Sequence, residues 1–324
     1  MKAVVVFHGD CDGVISAGLY IRRFLADYYP KNLVLRFTQP WRAAKDVESA
    51  TKSVESEGVD HLVILDVALN PELVNVLREI ARSGTRITII DHHISSQNLV
   101  EEVKQFARVA WIPTVSTPAV LVETMIKNLN KYEELLVNVA NVCEGSETND
   151  ETVKGIADCI KLALAIDPTD TTTFCEAVKS IVEGKEFWRS PEFEAKYRRG
   201  KVLLNMLVNT IARRAREVCG WVIVSFTHAQ SLAYAGLFGI ASSEYTKRHR
   251  KPLILIRGEE GKIVVTVRSP EGKALELCEY ISRTLNAPFY GGHREAASLT
   301  IYGEEDVDNI ARKLEEVVRS FERC

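Results

Sequence analysis

Three short clusters of acids and histidines each follow an apolar run in the first third of the chain. His8-Gly9-Asp10-Cys11-Asp12-Gly13 follows residues 3–7, Asp66 follows residues 62–65, and Asp91-His92-His93 follows residues 86–90. Carboxylates and imidazoles gathered without basic partners repel one another unless cations are held between them. Two divalent ions about 3.5–4 Å apart, bridged by a carboxylate, would relieve that repulsion and activate a water for in-line attack on phosphorus. A mixed histidine and carboxylate shell suits Mn2+, with Mg2+ second, and the absence of thiolate pairs argues against zinc. Taken singly, each cluster has a plainer explanation. Asp12 before Gly13 could be a helix N-cap, Asp66 a satisfied loop acid, and His92 and His93 a half-buried polar pair. What singles them out is that all three follow strand-like runs.

Those runs belong to an alternating pattern. Residues 3–7, 33–37, 62–65 and 86–90 read as continuous apolar strands, and residues 13–28, 43–57 and 71–83 between them repeat apolar side chains near a period of 3.6. Continuous apolar strands separated by helices imply a parallel sheet covered on both faces, whose ligands sit beyond the carboxyl ends of the strands. That edge is where all three clusters fall. Further on, residues 144–151 and 167–173 read as loops. A long helix from residue 192, with Leu203, Leu204, Leu207, Val208, Ile211, Ala215 and Val218 on one stripe, is expected to end near Cys219-Gly220. Strands over 221–226, 252–257, 262–267 and 298–302 follow, with helices over 275–285 and 305–321. The fold class expected is α/β. An N-terminal parallel-sheet domain over 1–188 is joined by a connector helix, 189–219, to a smaller C-terminal α/β domain over 220–324.

The 324 residues are 46% hydrophobic and 26% charged with a net charge of −3, ordinary proportions for folded domains. No global basic charge advertises a nucleic-acid coat protein, although an enzyme for short substrates needs few phosphate contacts. The seven cysteines are odd in number, widely spaced and without a CxxC pair, so neither a disulfide framework nor a structural zinc site is expected. The opening segment turns polar at His8, before a secretory core could form, and no apolar run approaches the roughly 18 residues of a membrane span. These features lead to the expectation of a cytoplasmic protein with no membrane partner.

The residues His8-x-Asp10-x-Asp12-Gly13, then Asp66, then Asp91-His92-His93, resemble the first three motifs of the DHH phosphoesterases. That family includes RecJ-type exonucleases, nanoRNases and cyclic-dinucleotide phosphodiesterases. Tyr290-Gly291-Gly292-His293-Arg294 resembles the GGH motif of the associated DHHA1 domain. The resemblance spans nearly the whole chain in the family's order. It implies that Asp10, Asp12, Asp66 and His92 ligate two Mn2+ ions with Asp66 bridging, that Asp91 orients the histidines, and that His93 faces the scissile phosphate. His8 is a further ligand by the same resemblance, although some relatives carry the equivalent histidine two residues earlier, where this chain has Val6. The family's fourth-motif aspartate has two counterparts here, Glu144 at the expected interval and Asp158 in a more RecJ-like local sequence, with Glu144 preferred. In the second domain Gly291 and Gly292 would let backbone approach a phosphate, with His293, Arg294 and Arg268 meeting the anion.

The expected function is Mn2+-dependent hydrolysis of single-stranded nucleic acid or short oligonucleotides from an end, with replication or repair proteins as further partners. Two alternatives stand beside it. One is a small-substrate phosphatase or phosphodiesterase acting on a dinucleotide, a nucleoside bisphosphate or polyphosphate. The other is a replication scaffold without catalysis. Of three basic runs, 196–201 and 213–216 read as solvated faces and 247–251 as a possible phosphate-steering patch. Tyr245 and Tyr290 could stack on bases, though buried packing is the commoner fate of a tyrosine.

Overall fold

Alternate residues of the first apolar run face opposite sides. Ala3, Val5 and Phe7 enter one buried cluster, and Val4 and Val6 enter another. A strand buried on both faces needs helices on both, and the computed structural model supplies them. It describes residues 2–54, 58–287, 289–303 and 306–324. These fall into two units, Met1–Tyr197 and Arg198–Cys324.

In the first unit the elements run β1 (Lys2–His8), α1 (Cys11–Phe24), β2 (Leu33–Thr38), α2 (Ala43–Lys52), β3 (Val59–Leu65), α3 (Pro71–Arg82), β4 (Arg86–Asp91), α4 (Gln97–Val103) and β5 (Arg108–Trp111). Four helices follow: α5 (Thr117–Thr124), α6 (Lys131–Cys143), α7 (Glu151–Ala165) and α8 (Thr171–Val182). The five strands form one parallel sheet in the order β2-β1-β3-β4-β5. Helices α2, α3 and α4 cover one face, and α1 with α5 to α8 the other. Because every strand points the same way, His8, Asp66 and Asp91 all emerge at one edge.

Several boundaries differ from the sequence expectation. Helix α1 stops at Phe24 rather than at residue 28, because Leu25 leaves the helical region with φ of −126° and ψ of 22°. Helix α2 ends at Lys52, and residues 55–57 of the expected helix lie outside the described residues. The edge strand β5, only four residues long and opening on an exposed arginine, carries too little apolar pattern to stand out.

The division between units falls inside the long helix α9 (Pro191–Arg214), most of which belongs to the second unit. Its elements are β6 (Arg216–Val218), β7 (Trp221–Phe226), α10 (His228–Ala233), α11 (Phe238–His249), β8 (Leu253–Glu259), β9 (Lys262–Arg268), α12 (Ala274–Leu285), β10 (Phe289–Gly292), β11 (Ala296–Tyr302) and α13 (Val307–Glu322). Residue 305, the expected start of the last helix, lies outside the described residues. The sheet is mixed, in the order β10-β11-β9-β8-β7-β6, with only β7 and β8 parallel. Helices α12 and α13 pack on one face, where Ile254, Ile256, Val265, Leu277 and Leu314 are buried together.

The expected helix to residue 219 is corrected here, because residues 216–218 are a strand. Cys219 and Gly220 both take positive φ, +50° and +83°. That pair of conformations makes the two-residue turn that folds β6 back on β7.

The cysteine expectation is also corrected. Cys11 is paired with Cys143 and Cys219 with Cys324, at Cα separations of 6.3 and 6.1 Å that a disulfide spans. The partners are 132 and 105 residues apart, so spacing along the chain carries no sign of them.

Candidate functional site

The first cluster sits where β1 hands over to α1. Asp10 is the N-cap of α1, its Oδ1 accepting from the Gly13 amide at 2.9 Å, so the capping role considered for Asp12 belongs to Asp10. Asp12 lies in the first helical turn, fully buried, with Ser16 Oγ donating to its Oδ1 at 3.1 Å. Gly13 is required by crowding, for a Cβ there would lie 2.2 Å from the His8 carbonyl oxygen. The loop after β2 packs against the same turn, and a Cβ at Gly9 would lie 3.3 Å from Gln39 Nε2.

Asp66 follows β3 with φ of +59°, a region non-glycine residues seldom occupy and one that tends to mark functional positions. Its carboxylate is buried and its two oxygens face different groups. Oδ2 lies 3.5 Å from His8 Nδ1, and Oδ1 lies 3.5 Å from His92 Nε2 and 4.0 Å from His93 Nδ1. His8 Nδ1 is also 2.9 Å from Asp10 Oδ2, and His92 Nε2 is 3.7 Å from Asp12 Oδ2. After β4, His93 Nδ1 donates to Asp91 Oδ1 at 2.6 Å, and Ser96 Oγ donates to the other oxygen of Asp91.

Among the described residues, three groups have ligand atoms within 4.8 Å of one another: His8, Asp10 and Asp66; Asp66, His92 and His93; and Asp12, His92 and Glu144. Glu144, the C-cap of α6, reaches the cluster. Asp158 lies on the exposed side of α7 and belongs to none of these groups. Ser96 and Thr117 also touch the cluster and carried no sequence signal, being common hydroxyl residues without motif spacing.

The electrostatics are those of a site short of positive charge. Burial, with Asp66, Glu144 and Asp10 nearby, raises the Asp12 carboxyl well above its usual range. Although Glu144 is exposed at its own surface, desolvation within the cluster and the charges of Asp10 and Asp66 push it up to about 7. Burial opposes charge on His92, yet its contact with Asp66 outweighs that and lifts it to about 9. His93 is raised in the same way by Asp91 against the effect of burial. The His92 Nε2 atom is buried without a hydrogen-bond partner among the described residues. A buried nitrogen facing two carboxylates fits a divalent cation, and the oxygen-rich donor set fits a hard one.

In the second unit Arg268, Gly291, Gly292, His293 and Arg294 come to one end of the sheet. Ala296 pairs with Arg268 across β9 and β11, and the turn from His293 closes β10 on β11 through His293 N to Ala296 O at 2.7 Å. Gly292 is explained by this hairpin. Its φ is +135° and a Cβ would lie 2.4 Å from Ala296 O, whereas the Cβ position at Gly291 is open. Arg268 donates through Nε to Ser243 Oγ at 3.1 Å. Tyr245 is buried and Tyr290 is exposed. In the basic run 247–251, Arg248 pairs with Glu244 and Lys251 with Glu217.

Comparison with known proteins agrees with this architecture. Residues 222–320 match the model of the DHHA1 domain. No curated protein matches the chain in sequence. Among solved structures, a DHH-domain protein described as a member of the s1p family of ribosomal proteins is 14% identical with a TM-score of 0.71, over 99% of this chain and 86% of that one. A pGpG-specific phosphodiesterase from Vibrio cholerae is 14% identical with a TM-score of 0.59, over 99% of both chains. RecJ from Thermus thermophilus, in complex with Mn2+, is 17% identical with a TM-score of 0.62. That match covers 99% of this chain, which spans about half (52%) of the RecJ chain. Among the described residues no helix is long and apolar enough to cross a membrane. Residues 222–320 thus carry a DHHA1 domain, and the parallel-sheet unit before it shares the fold of solved DHH-domain proteins.

Proposed function

We propose that this protein is a phosphoesterase dependent on two divalent cations, Mn2+ or Mg2+, that hydrolyses phosphodiesters of single-stranded nucleic acid or short oligonucleotides from an end. The observation that carries the reading is the division of Asp66, with Oδ2 towards His8 and Oδ1 towards His92. A carboxylate so shared suits a bridge between two cations, one held with His8 and Asp10 and the other with His92, Asp12 and Glu144. Bound there, the cations would supply Lewis-acid stabilisation of a phosphoryl group and a nucleophilic water at neutral pH.

The chain's own residues do the rest. Asp91 fixes the His93 ring by accepting from Nδ1 and favours the imidazolium, which would donate from Nε2 to a phosphate oxygen as charge builds there. Within the second unit, Arg268, His293 and Arg294 would grip an anion, with the exposed Gly291 allowing close backbone approach. For a base-bearing substrate, Trp41 offers a stacking surface. It is 67% exposed on the turn after β2, whose end pairs in register with His8.

The reading is tested by digestion of end-labelled RNA and DNA, from two to about thirty nucleotides, with Mn2+. Wild type is expected to shorten the substrate from an end, and Asp66→Ala and His92→Ala to abolish product. Cleavage of a dinucleotide or bisphosphate alone would move the assignment to a small-substrate phosphodiesterase. Silence on every substrate would favour a scaffold.

A further inference from the structure

The stretch from the end of β5 to the first residue of α5, residues 112–117, contains no acid, histidine or cysteine, yet it contacts Asp12, Asp66 and His92 of the cation cluster. The Thr114 carbonyl accepts from His92 Nδ1 at 3.1 Å. The Thr117 amide donates to Asp12 Oδ2 at 3.0 Å, and the Thr117 hydroxyl donates to Asp66 Oδ1 at 3.0 Å. Ser116 Oγ donates to Asn141 Oδ1 at 2.6 Å, on the helix that ends beside Glu144. Just before the stretch, Trp111 Nε1 donates to the His93 carbonyl at 2.8 Å. Ser116 and Thr117 are both fully buried.

We propose that Thr117 is the positioning residue of the cation site, setting the carboxylates of Asp12 and Asp66 from one buried position. The inference rests on the proposed binding of divalent cations. Asp66 supplies the need for such a residue. It takes an unfavourable φ, and its carboxylate must hold two oxygens towards two different groups. A hydroxyl bonded to Oδ1 stops rotation about χ2 and leaves Oδ2 directed at His8. The amide of the same residue, at the start of α5, stabilises the charge on Asp12. Three residues earlier, the Thr114 carbonyl can only accept, so His92 carries its proton on Nδ1 and presents Nε2 to the cation. Thr117 makes no contact of its own with a substrate in this account.

The test compares Thr117→Val, which keeps the shape and loses the hydroxyl, with Thr117→Ser, which keeps the hydroxyl. Mn2+ affinity of the full chain is read by calorimetry, and kcat and KM are read separately. Thr117→Val is expected to weaken Mn2+ binding about 10- to 100-fold and to lower kcat with little change in KM, and Thr117→Ser to restore both. Wild-type Mn2+ affinity in folded Thr117→Val would overturn the proposal. So would a loss in Thr117→Ser as large as that in Thr117→Val, which would mean packing alone. If the valine variant does not fold, Thr117→Ala replaces it against Thr117→Ser with the same expectations. Absence of Mn2+ binding by the wild type would instead defeat the functional reading itself.

Discussion

Cys11 and Cys143 lie 132 residues apart in sequence and 6.3 Å apart at Cα, one between Asp10 and Asp12 and the other beside Glu144. Their disulfide ties the start of α1 to the end of α6, the two helix ends that bring carboxylates to the site. A native disulfide is typically worth about 2–4 kcal/mol. Cys143→Ser is expected to lower stability by about that amount in urea unfolding. Thiol labelling of the denatured, unreduced protein should find only Cys159, Cys175 and Cys278 reactive. Labelling of all seven cysteines would contradict the pairing.

Glu144 and Asp158 give opposite expectations. Glu144→Gln removes a carboxylate whose oxygen lies within 4.8 Å of the ligand atoms of Asp12 and His92, and should weaken Mn2+ binding at least about tenfold. Asp158→Asn should leave it unchanged. Calorimetric titration of the two variants checks the assignment, and the reverse pattern would transfer the role to Asp158.

His61 predicts a pH dependence away from the site. It is 7% exposed, 2.9 Å from Thr88 Oγ1 and edge-on to Tyr20. Burial first, then Arg86, pushes it down to about 4. An unfolded histidine titrates near 6.5 (about 2.5 units higher), so between these values the unfolded chain binds the extra proton. His61 therefore costs the fold nothing above pH 6.5 and destabilises it progressively as pH falls towards 4, by about 3 kcal/mol at the end. The stability difference between wild type and His61→Phe, from urea unfolding at pH 7 and pH 4.5, should shift against the wild type at the lower pH. A constant difference would contradict the assignment.

The glycines separate structural from functional need. Gly13→Ala brings a methyl group against the His8 carbonyl and should cost about 1–3 kcal/mol in thermal unfolding. Gly292→Ala is expected to destabilise the hairpin for the same reason, aggravated by its positive φ. Gly291→Ala, with open space at its Cβ, should melt as the wild type does. A loss of substrate affinity in Gly291→Ala without a change in melting would support close backbone approach to an anion.

The parallel sheet was legible because β1, β3 and β4 are buried on both faces and so read as unbroken apolar runs. Edge strands β5 and β6 were not, since Arg108 and Arg216-Glu217 are exposed and break any apolar pattern. The same holds for the site. His8, Asp10, Asp12, Asp66, His92 and His93 announce themselves by type and by position after strands. Thr117 does not, because its partners Asp12 and Asp66 are 105 and 51 residues away and only the fold brings them near. The cysteine pairs stayed hidden for that reason also.

The most direct measurement of the central claim is Mn2+ titration of the full chain followed by electron paramagnetic resonance, on wild type and Asp66→Asn. The account predicts two Mn2+ per chain with a spin-coupled signal, since ions about 3.5–4 Å apart share a bridging carboxylate. In Asp66→Asn the coupling should vanish and at least one ion be lost. A single uncoupled Mn2+ in the wild type, or coupling that survives in Asp66→Asn, would contradict it.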